Sequence, residues 1–451
     1  MPYDPSLAAM RFGYGLPQPP GAPDSVKAML AALTDPDAVV EAYPIAPLAD
    51  VAALLDAFLA ARRLRGKGAA QDEAYRVALR ALNQPTVAAA RSAFARAVSN
   101  PDGFRERLAA FWGDHFTAAP REGTNKFLPF AMMDQAIRPH LTGRFADMLI
   151  AVTTHPAMLV YLDQGTSFGP TSAQGKRTKR GLNENLAREL IELHTLGVGA
   201  GYAQDDVRQM AELLTGLTVT PKLDMEFEPR RAEPGEETVL GVTYRGEGLE
   251  PIRAALRDLA ARPETAAHIA RKLAVHFVAD NPDDDLIDTL TTAFVESDGD
   301  LMTVYTVMLN HRAAWAPQMQ KARQPYDFLL AALRGLDVTG DEVARMVDGP
   351  FRRMLLDPLT AMGQPFKTPP GPDGWPEEAE AWITPQGLAA RITWAMEVPG
   401  RLRTPLPNPD TFAQATLGPM ASERLLWAVS RAENIREGVG LVLVSPEFNR
   451  R

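Results

Sequence analysis

Apolar residues recur at three- and four-residue intervals along most of the chain, the period of helices that bury one face. Residues 48–64 (Leu48 to Leu64) are rich in Ala and Leu and end in the basic turn Arg62-Arg63-Leu64-Arg65 before Gly66. Residues 70–98 repeat the pattern with a predicted break at Pro85. Asp102 or Gly103 opens a helix through Phe104, Leu108, Phe111 and Trp112. Residues 125–152 carry Phe127, Phe130, Met133, Ile137 and Leu141 at helical spacing. Further helices are predicted at 249–261, 264–278, 283–296 and 300–311, with a final one near 421–433 before a short C-terminal segment. The stretch 164–182, rich in Pro, Gly and Ser, reads as a loop. The stretch 365–385, with six prolines and two tryptophans, reads as a second irregular segment. Near 218–246 the helical period fails, and Val239-Leu240-Gly241-Val242-Thr243-Tyr244 predicts a small hairpin. The expected fold is mainly α, a multi-helix globular assembly with one β-hairpin excursion. Its regions are 1–163, 164–217, 218–246, 247–335 and 336–451, packed as one or two compact units.

One helical segment is unusually polar for its apolar content: Asn183-Glu184-Asn185-Leu186-Ala187-Arg188-Glu189-Leu190-Ile191-Glu192-Leu193-His194-Thr195-Leu196-Gly197. On a regular helix Asn185, Glu189 and Glu192 fall within about 60° of one another, with Arg188 beside them. Leu186, Leu190 and Leu193 form one apolar stripe, Ala187 and Ile191 another, and His194 points near the second. A helix apolar on two sides is expected to be substantially buried, and its charges then need partners. Glu184–Arg188 and Arg188–Glu192 supply two i,i+4 pairs, and Gly197 and Gly199 supply a C-cap. Two readings stand. Glu189 and Glu192 act as an acid–base pair or ligate a metal with His residues from other helices. Alternatively, Arg188, the glutamates and the asparagines form a network that fixes helix register.

Two other segments place polar groups among apolar ones. In Phe111-Trp112-Gly113-Asp114-His115-Phe116-Thr117, Asp114 and His115 read as a base with its orienting carboxylate, or His115 as a core histidine. Adjacent helical residues point different ways, which weakens the first reading. In Thr154-His155-Pro156-Ala157-Met158-Leu159-Val160-Tyr161-Leu162-Asp163, His155 is placed to cap a helix beginning at Pro156, with Asp163 at its far end. Gly197-Val198-Gly199-Ala200-Gly201 follows a helix rather than a strand and is a turn, not a dinucleotide loop. Ser297-Asp298-Gly299-Asp300 lacks a calcium loop's spacing and reads as a turn with an N-cap. His268 and His276 read as core or surface residues.

The 451 residues, 46% of them apolar, suffice for a large core. The net charge of −9 argues against nucleic acid as the main partner, and the basic cluster Lys176-Arg177-Thr178-Lys179-Arg180 reads as a solvated loop. Cysteine is absent, which excludes disulfides, thiolate nucleophiles and Cys-bound metals. No membrane span and no signal peptide are evident, so the sequence alone points to the cytoplasm.

The Asn183–Gly197 run resembles the most characteristic motif of the bacterial domain-of-unknown-function family numbered 1800. The likeness continues through Tyr202 to Val207, Leu214-Thr215-Gly216, Phe111 to Thr117, His155 to Asp163, Ala270 to Leu273 with Phe277-Val278, Ser297 to Leu301, and Ser445 to Phe448. There are departures. Leu186 stands where the family has an aromatic, Ala203 where it has Thr and Leu217 where it has Trp. Arg231-Ala232-Glu233-Pro234-Gly235 replaces a common His-Asp pair before Gly. The resemblance implies an alkaline-phosphatase-like partner encoded nearby, and many members carry export signals; it implies no activity.

Three function classes follow. The first is an enzyme whose pocket joins Asp114, His115, His155, Asp163, Arg188, Glu189, Glu192 and His194, with acid–base or metal-assisted, hydrolytic chemistry and a divalent metal as candidate cofactor. The second is a noncatalytic scaffold or assembly partner built on the same residues. The third, a glycan-binding module, rests on Trp375 and Trp382 as exposed aromatics.

Overall fold

The computed structural model describes residues 3–101, 103–120 and 123–451; Asp102, one of the two expected helix openers, lies outside them. Helices dominate, and the predicted ones form close to their expected bounds: Leu48–Leu64, Leu249–Ala260, Pro263–Phe277, Asp284–Glu296 and Leu301–Asn310. Their ends follow local chemistry. Gly103, at φ 67°, opens Phe104–His115. The Asp300 carboxylate accepts from the Thr303 N–H at the start of Leu301–Asn310. No helix among the described residues is long and apolar enough to cross a membrane.

Two expectations need correction. The break at Pro85 does not occur: one helix runs Ala69–Ser99 with Pro85 inside it. Packing against Leu48–Leu64 before the proline, and burial of Ala89 to Val98 after it, override the lost backbone bond. The chain does not end in a helix near 421–433. Glu423–Val429 is followed by Ile435–Val444, whose Asn434 cap starts an apolar run that packs into the core. The hairpin expected at 239–244 forms, and a second one precedes it in the same region. Leu217–Val219 (β1) pairs with Met225–Phe227 (β2), and Glu236–Val239 (β3) pairs with Val242–Arg245 (β4). Leu240 and Gly241, inside the segment read as a hairpin, form its turn with φ of 50° and 82°, the two positive values that a tight two-residue hairpin requires.

Residues 125–152 also depart from one regular helix. Leu128–Met132 is α-helical, Met133–Ile137 is a π-helical stretch, Arg138–His140 is a 3₁₀ turn, and Phe145–Thr153 is α-helical again. The polar motif changes in the same way, from α in Asn185–Glu189 to π in Leu190–Thr195.

The apolar side chains gather into two cores. One centres on Phe104, Trp112, Phe145, Leu190, Leu273 and Tyr305. The other centres on Phe94, Phe328, Leu355, Trp394, Phe412 and Phe448. Buried arginines staple across them by donating to backbone carbonyls: Arg11 to Ala314 and Ala316, Arg334 to Ala97 and Asn100, Arg323 to Phe448. The planar guanidinium, with several fixed donors, suits this use. The irregular segment 365–385 lies across the seam between the cores. Trp382 is buried within it, donates from its indole to the Pro376 carbonyl and packs on Trp375. The premise of an exposed aromatic pair for glycans is therefore incorrect.

Candidate functional site

The three polar segments meet, but as a clamp rather than around a cavity. The widened end of the motif helix leaves carbonyls without helical partners. His115 Nε2 lies 3.2 Å from the His194 carbonyl, and His268 Nε2 lies 3.1 Å from that of Leu193. A carbonyl only accepts, so both rings donate from Nε2. His115 and His194 are both 2% exposed and pack among Phe111, Phe116 and Phe145. Burial depresses both imidazoles below their usual range, His194 to about 3. Gly197, at φ 92°, lets the His268 ring approach so closely that a Cβ there would stand 2.9 Å from Nδ1.

His155 caps Pro156–Tyr161: its Nδ1 accepts from the Ala157 N–H at 3.1 Å. Its Nε2 therefore carries the proton and donates to Gln135 Oε1 at 3.0 Å, in the first π stretch. Asp163 ends the same segment in a left-handed conformation, φ 55°, and Asn183 Nδ2 donates to its carbonyl at 3.1 Å. Arg188 bonds Glu184, Glu192 and Gln204, each at 3.1 Å. The expected deep burial of these charges does not hold. Their side chains are 38% (Arg188), 33% (Glu184) and 21% (Glu192) exposed, because the helix buries only its apolar side. Burial, with the Glu192 and Asp373 charges, raises the Glu189 carboxyl above its usual range.

Asp114 differs from the other seven. Among the described residues, it alone of the eight candidates lines a cavity of about 140 Å³ at the seam between the two cores. Ala109, Met132, Ile137 and Met133 wall it from one side, and Ala89, Phe130, Tyr326 and Phe366 from the other. Asp114 and His115 point apart, as neighbours on a helix must: one reaches the cavity and the other the clamp. Both Asp114 oxygens accept from the Trp375 N–H, at 3.0 and 3.1 Å. Gly374, at φ 88°, permits this approach, since a Cβ there would stand 2.6 Å from Asp114 Oδ2. Burial and the Glu377 charge push the Asp114 carboxyl up to about 7, against the opposing pull of Lys272 and the Trp375 N–H.

Fixed charges surround it. His276 Nδ1 lies 2.5 Å from Glu377 Oε1, and its Nε2 lies 3.3 Å from Arg107 Nη2. A guanidinium only donates, so Nε2 must be the lone-pair nitrogen and Nδ1–H donates to Glu377. Burial keeps this imidazole neutral, at about 4, against the pull of Glu377. Arg107 donates to Asp327 at 2.5 Å, and Lys321 pairs with Glu377 at 2.9 Å and Asp280 at 2.5 Å. On the far wall Arg138 grips Glu106 through both oxygens, at 2.5 and 2.6 Å, and Arg96 grips Asp134 at 2.7 and 2.9 Å. Lys367 lines the cavity without a hydrogen bond to any described residue. These pairs hold the cavity walls, and the Asp114 carboxyl among them is the one that burial pushes up to about 7.

The sequence pattern missed His276, which reads there as core or surface, and also Glu377, Asp327, Arg107 and Lys367. Their separations in the chain hide the site. The one available signal was charged residues, Lys367, Asp373 and Glu377, inside an irregular segment rich in Pro and Trp, since loops of that kind carry function. Among the described residues, no group of three or more His, Asp or Glu side chains is arranged to hold a metal ion.

No curated protein and no solved structure matches the chain. The family model described as protein of unknown function, DUF1800, matches residues 8–450, from the first core helix to the last buried turn. On that match the chain belongs to the DUF1800 family of proteins of unknown function.

Proposed function

We propose that the chain is an enzyme in which Asp114 moves a proton to and from a small, largely apolar substrate held in the seam cavity. The observation that carries this is a carboxyl kept near neutrality, at about 7, in a cavity where a backbone N–H fixes its orientation. A general acid–base group works best with a proton affinity near the working pH. The volume of about 140 Å³ fits a body the size of a benzene ring. The apolar walls favour such a body, and Asp114 faces its polar group. The reaction class that suits this is proton transfer next to a carbonyl. Arg107, Asp327, His276 and Glu377 position the walls. The Asn183–Gly197 motif is a positioning scaffold, supported by its bonds to His115 and His268, and it holds the helix that carries Asp114.

The test is a panel of benzene-sized aldehydes, ketones and esters incubated in heavy water and followed by proton NMR. At least one compound should exchange or hydrolyse with the wild type, and on the order of a hundredfold more slowly with Asp114→Asn. Failure of every compound to raise Tm or to react faster than with Asp114→Asn would remove the proposal.

A further inference from the structure

We propose that Lys367 is a nucleophile that forms an imine with a small aldehyde or ketone in the seam cavity. This rests on the reading of that cavity as a substrate site, and it names the substrate class.

Four observations bear on Lys367. It lines the cavity beside Asp114. Its Nζ lies 3.6 Å from the point where a Cβ on Gly113 would stand, which brings the amine close to the helix that carries Asp114, with the flexible Met133 side chain beside it. Its backbone is left-handed, φ 56°, which costs a residue with a Cβ about 1 kcal/mol; strain of this kind persists where a side chain must be aimed. Finally, it makes no hydrogen bond to a described residue, whereas Lys321, the buried lysine nearby, is bonded to Asp280 and to the Glu377 backbone carbonyl. A lysine that served only to balance the acidic wall would be expected to sit as Lys321 does. Burial also lowers the proton affinity of the Lys367 amine, and the charge acting most strongly on it is that of Asp114. The lowering by burial suits a nucleophilic amine; the Asp114 charge opposes it, and its strength reflects how close the proton carrier lies.

The step balances without an oxidant or reductant. The Nζ lone pair bonds to the carbonyl carbon while the carbonyl oxygen takes the proton of neutral Asp114. The Asp114 carboxylate then removes a proton from Nζ and returns it to the hydroxyl, which leaves as water. Amine, carbonyl and the Asp114 proton give a protonated imine and water; Asp114 ends as the carboxylate, and it regains its proton when the imine nitrogen gives up its own, leaving the neutral imine.

The experiment uses the full chain with benzaldehyde as the carbonyl probe, sodium cyanoborohydride to reduce any imine, and toluene as a probe of equal girth that has no carbonyl. The sequence carries nine lysines, so peptide mass spectrometry can assign every adduct. The proposal predicts one adduct, on Lys367, displaced by toluene and lost in Lys367→Arg. In Lys367→Arg toluene should still raise Tm, which shows that the variant folds and keeps its cavity. Asp114→Asn should slow adduct formation at pH 7 on the order of a hundredfold. A toluene-induced rise in Tm without an adduct on Lys367 would overturn the lysine and leave the cavity reading intact. So would adducts confined to Lys272 or to exposed Lys176, Lys179 and Lys222. Neither a toluene effect nor an adduct would overturn both.

Discussion

At the scale of single residues, Asp114 is the group whose environment is least ordinary. Its carboxyl is about 7 in the fold and 3.8 in a free chain. The folded state therefore binds the proton more tightly, and the stabilising effect of this protonation is lost as pH rises from about 4 through 7. Asp114→Asn keeps an acceptor for the Trp375 N–H and removes the charge. It should stabilise the protein at pH 8, on the order of 2 kcal/mol once water reaching the carboxyl is discounted, and less at pH 5. Denaturation at the two pH values measures this, and equal effects at both would show that the aspartate is ordinary. A substitution that stabilises the fold while removing activity is the pattern expected of a reactive group held against its preference. The sequence pattern picked out Asp114, but for an unsuitable reason, as the companion of His115. That pairing cannot form on one helix, and the partners it does have, Trp375 and Glu377, come from the far end of the chain.

At the scale of elements, the regular helices were legible because their apolar period is uninterrupted. Leu48–Leu64 is bounded as the sequence indicates. The π stretches were not, because an i→i+5 register leaves no distinct residue pattern. Yet they matter to the site. Met133 and Asp134 reach the cavity from one of them, and the other presents the carbonyls that His115 and His268 hold. Gly113 ties helix and cavity together. A Cβ there would stand 2.4 Å from Met133 Cε, the end of a flexible side chain. Gly113→Ala should therefore fold with stability changed by about 1 kcal/mol or less, since gained helix propensity offsets the crowding. Met133 should move, and the rise in Tm with toluene should disappear; a persisting toluene effect would place the ligand elsewhere. In the motif helix, Arg188→Ala should cost about 1 kcal/mol or less, because its pairs are partly exposed. Leu190→Ala, fully buried, should cost about 2–5 kcal/mol. Urea denaturation of the two variants decides between them, and a larger loss for Arg188→Ala would make the ion pairs rather than the apolar stripe the element's main support.

At the scale of the whole molecule, the seam between two cores explains why the site was hidden. Its walls come from residues 14 to 377, and periodicity reports only which face of one helix is apolar, not which faces meet. The helical class and the hairpin at 239–244 were legible from the periodic pattern, and the hairpin before it was not. The same burial has a collective signature. His155, His268 and His276 are depressed to about 4, His194 to about 3, and His115 well below its usual value. The unfolded chain protonates these imidazoles below about 6.5 and the fold resists it, so stability falls as pH drops from 6.5 toward 4. Each contributes up to about 1.4 kcal/mol per pH unit within its window. Melting followed from pH 7 to 4 should show this loss, and a His155→Gln variant should lose stability less steeply; a flat profile would contradict the buried, neutral histidines. The account as a whole turns on one group in one cavity. A carbon-13 NMR titration of the Asp114 carboxyl, assigned with Asp114→Asn, measures it directly. The structure predicts a midpoint of about 7 that shifts when toluene occupies the cavity. A midpoint in the ordinary carboxyl range near about 4, unmoved by toluene, would contradict it.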